Sequence, residues 1–439
     1  MPTWTGGYRR PGVAGGAPPS IHSRAHSERI LMSRVRTVEV IPLAFADPPL
    51  LNTWGVHEPL ALRSLVILTL EDGTVGLGEA GGDVTLLKRL RAIGLQLVGK
   101  RVDDPSCVRN VVTAVLSPDL PLVQRNLAAS PFEVAAADAW ARLEDIPLVG
   151  LLGGAVRDHV EYSGYLFYKW AGHPDFERDP WGAVLDPEGV GRLGRTFADE
   201  FGFSSLKLKA GVFAPADEIA AMHALAEAVP GALLRIDPNG AWQESTAIDV
   251  ARELEGTLDY LEDPVLGIEA MARVRASTTL PLASNMIVNT RRDLDEVVAA
   301  EALDVVLADH HYWGGPRATL SLAEECVAAG LSVSMHSNSH LGVSLAAMTH
   351  VGAASRALTY ASDTHYPWNA RDDVVDRQAL TFVEGSLAVP DGPGLGVELR
   401  RDVVERLHRA YVDSGRTIRD DTTYMRTVDP QFDAALPRF

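Results

Sequence analysis

Down the second half of the chain, short apolar runs end on polar groups at intervals of 23 to 29 residues. The polar groups are Lys207-Leu208-Lys209, Asp237-Pro238-Asn239, Glu262-Asp263-Pro264, Asn285, Asp309 and His336, with Asp363-Thr364-His365 one step later. The runs before them, LLRID, LDYLED, LPLASN, LDVVLAD, LSVSMH and LTYASD, have the length and make-up of strands buried on both faces of a parallel sheet. One strand, one helix and two loops fill such an interval. Polar residues at the C-terminal ends of consecutive parallel strands are the layout of a (β/α)8 barrel, whose chemistry sits at that end. The pattern predicts both an α/β architecture and the place of a site within it.

At 439 residues and 46% hydrophobic content the chain is long enough for two domains. Forty basic against 58 acidic side chains leave a net charge of −18, which argues against nucleic-acid or anionic-membrane partners. A small anionic substrate needs only local positive charge and stays open. Cys107 and Cys326 have no metal-type spacing and fit a reducing, cytoplasmic setting. No apolar run reaches 18 residues, so no spanning helix is expected. Residues 1–31 lack periodicity and read as a disordered tail or an over-long start. Arg9-Arg10 is followed by PGVAGGAPPS instead of an apolar stretch, which argues against an export signal.

Ahead of the ladder, VRTVEVIPLAF, SLVILTLEDG and TVGLGEA alternate as strands do, and Asp72-Gly73 predicts a hairpin between the last two. VTLLKRLRAIGLQLVG and SPFEVAAADAWARLE then read as helices, so residues 32–159 form an α+β domain before a barrel over 160–391. The first barrel strand is expected at Val160–Phe167. The long stretch over 168–189 predicts a lid or substrate wall.

With these strand ends facing the barrel mouth, Asp237, Glu262 and Asn285 offer three oxygen donors from successive strands, a set that suits Mg²⁺. Lys207 and Lys209 share a face and stand near that cation, which predicts pressure toward the neutral amine. His336 follows Asp309 by one strand and is expected to be oriented and made more basic by that carboxylate. Two candidate bases beside a metal suit removal of a proton next to a carboxylate. His310, His311 and His350 read as pocket-wall or structural residues, and Glu79 in GLGEAGGD as a hairpin end or part of a mobile loop.

LKLK, DPNGAW, LEDP, ASN, ADHHYW and HS together resemble the enolase superfamily. NMIVNT, HSNSHLGVSLAAMTHVGAA, DTHYPW and LLNTWGVHEP bring the likeness to its glucarate dehydratases. DIPLVGLLGGAVRDHV and GPGLGVEL resemble the superfamily's domain junction and post-barrel return. That implies a modified barrel whose N-terminal capping domain is completed by residues 392–439. The resemblance implies Lys209 and His336 as bases, Asp309 as dyad partner, and Lys207 with Asn239 on the substrate carboxylate or adjacent oxygens. It also implies Asn52, His57, Tyr165, Phe167, Ser337, Asn338 and His365 as substrate contacts. The implied reaction is Mg²⁺-dependent dehydration of a sugar acid to a 2-keto-3-deoxy acid, by a homo-oligomer. Two segments depart from the family pattern: LPLVQRNLAASPFE, and the tail, where only Arg438 is offered, out of register. Racemisation of a hydroxy acid, or binding of metal and ligand without turnover, are the competing readings.

Overall fold

The computed structural model describes residues 33–174 and 180–439. The tail over 1–31, and part of the expected wall over 168–189, lie outside the described residues.

The first domain is built on β1 (Val35–Ala46), the short pair β2 (Leu51–Asn52) and β3 (Gly55–Val56), β4 (Leu60–Leu70) and β5 (Val75–Gly81). β1, β4 and β5 form an antiparallel sheet in that order, with Val40 opposite Val66 and Ile67 opposite Leu77. The expected turn closes it: Gly73 takes φ +95°, and Asp72 Oδ1 accepts the Thr74 N–H at 2.9 Å. Helices α1 (Val84–Leu97), α2 (Cys107–Val115), α3 (Leu122–Leu143) and α4 (Leu148–Leu151) follow. α3 lies so close on β5 that a Cβ at Gly76 or Gly78 would overlap the carbonyl oxygens of Ala135 and Pro131. Buried Asp138 of α3 accepts the N–H of Leu77 at 2.8 Å and of Leu395 at 2.7 Å, joining the sheet to the post-barrel return.

Eight parallel strands make the barrel: β6 (His159–Phe167), β7 (Ser205–Lys209), β8 (Leu233–Asp237), β9 (Leu258–Glu262), β10 (Leu282–Ser284), β11 (Val305–Ala308), β12 (Ser332–Met335) and β13 (Ser362–Thr364). They run in chain order from β6 to β12, β13 lies beside β6, and β12 meets the segment before β13 through the Val333–Leu358 bridge. Helices α5 (Pro187–Phe201), α6 (Pro215–Ala228), α7 (Glu244–Glu253), α8 (Ile268–Arg275), α9 (Arg291–Ala299), α10 (Pro316–Ala328) and α11 (Gly342–Ala354) follow the first seven strands. After β13 comes only α12 (Tyr366–Asn369), so the last unit departs from a regular (β/α)8 repeat.

The chain then returns. β14 (Ser386–Ala388) pairs antiparallel with the start of β6, and α13 (Arg401–Ser414) packs on β1, where His408 Nδ1 meets the Pro42 carbonyl at 2.8 Å. α14 (Asp421–Val428) lies against β3. His350 is a structural residue of the junction: its Nδ1 accepts the Val149 N–H and its Nε2 donates to the Leu395 carbonyl. Among the described residues no helix is long and apolar enough to cross a membrane. Both cysteines are buried and free.

Candidate active site

Every ladder residue stands within two positions of a strand's C-terminal end, the end that faces the barrel mouth. Two of these strand ends are strained: Asn239 and Asp263 hold φ of 48° and 37°, unusual for residues with a Cβ. Asp237 stabilises the first, accepting the Asn239 N–H at 2.9 Å.

On the β7–β9 side the site is ionic. Lys207 Nζ lies 2.6 Å from Glu262 Oε2 and 2.5 Å from Asp363 Oδ2, and Lys209 Nζ lies 2.5 Å from Asp237 Oδ2. Tyr165 places its ring 4.5 Å from Lys207 Nζ, and its hydroxyl lies 3.0 Å from both Asp363 Oδ2 and the Ser337 carbonyl. Lys207 is a fully buried amine among carboxylates. Burial alone would lower its pKa, but Asp363, Glu262 and Asp237 outweigh burial and hold it above the ordinary lysine value. Burial raises Glu262 well above the carboxylate range, Asp237 adds to this, and the lysines only partly oppose it.

The carboxylates of Asp237, Glu262 and Asp263 lie within 4.8 Å of one another. Glu262 Oε1 is buried without a hydrogen-bond partner. An all-oxygen cluster with an unpartnered oxygen fits a hard divalent cation. Asp263 is a member the sequence reading passed over, although it stands inside the LEDP motif. Its two oxygens are engaged, Oδ1 by the Ser284 hydroxyl and Oδ2 by the Asn285 N–H at 3.2 Å. Asp263 thereby holds the backbone of the partly buried Asn285, one position past β10.

The β11–β12 side is built from imidazoles. His336 Nδ1 donates to Asp309 Oδ2 at 3.0 Å, the expected dyad, while Asp309 Oδ1 accepts the N–H of His311 at 2.8 Å and its Nδ1–H at 2.9 Å. His311 is thus a second partner of Asp309, which the sequence reading left as pocket wall. The expected gain in basicity is also corrected: burial outweighs Asp309, and His336 sits below the ordinary histidine pKa. Asp309, facing both rings, is held well below the carboxylate range despite its burial.

The expected recognition residues divide. His57 stacks on His365 with centroids 6.1 Å apart, and Phe167 stands edge-on to both. Both ring nitrogens of buried His365 lack a protein partner, so the side chain is equipped for a ligand hydroxyl or carboxylate. Asp47 Oδ2 lies 3.1 Å from His57 Nδ1 and 2.9 Å from Arg419 Nη1. Burial alone would raise its carboxyl, but His57 and the Arg419 guanidinium beside it bring it to about 2. Arg419, unnoticed in sequence, is therefore the tail cation at this group. Arg438 instead donates to the backbone carbonyls of Thr53 and Gly211. Ser337 Oγ meets His340 Nε2 at 2.6 Å and accepts the His365 N–H, and Asn338 Oδ1 accepts from Arg63 at 3.1 Å. Asn52 is spent on a turn, its Oδ1 accepting the Trp54 N–H at 2.8 Å.

Part of the stretch over 168–189 is tied to the first domain by backbone hydrogen bonds. Lys169 exchanges backbone hydrogen bonds with Val184, and Trp170 N–H donates to Pro49 in the loop that carries Asp47 and His57.

Comparison with known proteins bears on this geometry. The family described as "Enolase C-terminal domain-like" matches residues 190–403. A "Probable glucarate dehydratase" of Streptomyces coelicolor is 47% identical over 427 residues, covering 92% of this chain and 99% of that protein. Two crystal structures of enolases superpose closely. That from Mycobacterium smegmatis, complexed with tartrate, is 49% identical at a TM-score of 0.90, covering 92% of this chain and 98% of that one. That from Gibberella zeae, complexed with magnesium, formate and sulfate, is 47% identical at a TM-score of 0.91, covering 94% and 99%.

Proposed function

The chain belongs to the enolase superfamily and is a hydro-lyase among its sugar-acid dehydratases, and we propose that it dehydrates a glucarate-like aldarate or related aldonate with Mg²⁺ held by Asp237, Glu262 and Asn285. The product is a 2-keto-3-deoxy acid. The observation that carries this reading is the pairing of two candidate bases with their own carboxylates, Lys209 with Asp237 and His336 with Asp309, on strands of one barrel mouth.

Bound there, Mg²⁺ supplies positive charge to the substrate carboxylate and so acidifies the adjacent carbon. Lys207, held as a cation by three carboxylates, supplies the same sign of charge from the protein. Its attraction grows as negative charge moves onto the carboxylate oxygens, which lowers the barrier more than it stabilises the ground state. Neutral His336 donates Nδ1–H to Asp309, which leaves Nε2 as its basic nitrogen. His336 or Lys209 takes the α-proton, according to the configuration of that carbon. Where His336 took that proton it returns it to the departing β-hydroxyl, and where Lys209 took it His336 must enter the reaction already protonated; water leaves, and the enol ketonises. His57, His365 and Phe167 receive the rest of the substrate.

The test is His336→Asn. Dehydration, read as semicarbazide-reactive keto acid, is lost, while exchange of the α-hydrogen with deuterium oxide continues through Lys209. Keto-acid formation by that variant would overturn the role of His336. Screening five- and six-carbon mono- and dicarboxylate sugar acids for the same product identifies the substrate.

A further inference from the structure

Two buried charged residues of the first domain reach across to the barrel. Arg63 of β4 and Glu79 of β5 pair at 2.7 Å, 6% and 2% exposed. Each makes a second set of bonds to the segment after β12. Helix α11 starts at Leu341, whose side chain cannot cap it. Glu79 does so from the other domain: Oε1 accepts the Leu341 N–H at 2.8 Å and Oε2 the Ser344 N–H at 3.0 Å. Ser344 Oγ in turn lies 3.0 Å from His311 Nε2, and His311 Nδ1 lies 2.9 Å from Asp309.

The direction of this chain follows from what each group can donate. Ionised Asp309 only accepts, so His311 donates to it from Nδ1 and turns Nε2 to the Ser344 hydroxyl. Glu79, by fixing the Ser344 backbone, places that hydroxyl. Arg63 acts on a different residue. A guanidinium only donates, so Asn338 must present Oδ1 to Arg63 Nη1 and turn its NH2 elsewhere, as a donor for ligand oxygens.

We propose that the Arg63–Glu79 pair is a positioning device for the reaction, Arg63 orienting the Asn338 amide for substrate binding and Glu79 orienting the Ser344–His311–Asp309 chain that holds His336. The proposal rests on the dehydratase reading above. It divides the pair's work between binding and chemistry, a split that a merely structural ion pair would not produce.

The full-length enzyme with Mg²⁺ is compared with Arg63→Met, Arg63→Lys, Glu79→Gln and Ser344→Ala. Arg63→Met raises KM about tenfold with kcat within about twofold, and Arg63→Lys, still a donor, recovers part of the loss. Glu79→Gln lowers kcat about tenfold with little change in KM, and Ser344→Ala, which removes no buried charge, reproduces it. In 15N-histidine spectra the His311 Nε2 resonance moves in both Glu79→Gln and Ser344→Ala. Kinetic constants of the folded variants within about twofold of wild type, or proportional losses of kcat and affinity in both arms, overturn the proposal. If wild type dehydrates no sugar acid, the functional reading fails instead, and the spectra alone decide: unmoved His311 and His336 signals overturn the positioning role.

Discussion

On the wall of the barrel mouth made by β7, β8 and β9, buried charge is met by buried charge, with Lys207 and Lys209 set against Glu262, Asp363 and Asp237. On the wall made by β11 and β12, the same degree of burial is met by directional hydrogen bonds from His311 and His336 to one carboxylate, Asp309. The difference follows from the groups themselves. A lysine surrounded by carboxylates keeps its proton despite burial, whereas a histidine with one shared carboxylate loses its own. Through Lys207 one wall therefore supplies fixed positive charge, and the other supplies a neutral base whose orientation is set by its partner.

The largest effect expected from breaking this contrast is on chemistry. Asp309→Asn keeps the shape of the histidine wall but offers an amide where two imidazoles need an acceptor. The kcat for keto-acid formation should fall about 10²- to 10⁴-fold; a change under about tenfold would mean that His336 needs no carboxylate partner. Next comes stability on the ionic wall. Lys207→Met leaves Glu262 buried without its near cation and Asp363 with only Arg235, 3.5 Å away, and should cost about 3–5 kcal/mol in urea unfolding. An unchanged midpoint would show that those carboxylates are neutral in the folded chain. The smallest effect calibrates the burial argument away from both walls. Burial lowers His350 to about 4, so the fold favours its neutral ring. That contribution is complete above the unfolded value near 6.5 and is lost as pH falls toward 4. His350→Gln should flatten the fall of the urea midpoint across that window; an unaltered slope would exclude His350 as its source.

Much of the barrel was legible in sequence because its signals are local. LLRID matches β8 residue for residue, and Asp309 and His336 stand one position past their strands. The hairpin at Asp72-Gly73 was legible for the same reason, since turn chemistry is local. Asp263 could have been found, being adjacent to Glu262 in a motif already singled out. His311 could not have been separated from His310 without knowing which ring meets Asp309. Arg419 was hidden more deeply. Asp421 is two residues away, but Asp47, the partner that brings it to the site, lies 372 residues off in the chain, while Arg438 is turned to backbone carbonyls.

That Lys209, Asp237, Asp309 and His336 share one barrel mouth was determined by the sequence itself, because strand period and βα spacing place such residues at one end of one barrel. Which groups are charged there was decided only by the tertiary structure. Lys207 moves up and His336 moves down, since net pKa depends on how many carboxylates surround a buried group and on how deeply it is buried. The same holds for Arg63 and Glu79: a hairpin end in sequence becomes a cap on a barrel helix more than 260 residues away only when two domains meet.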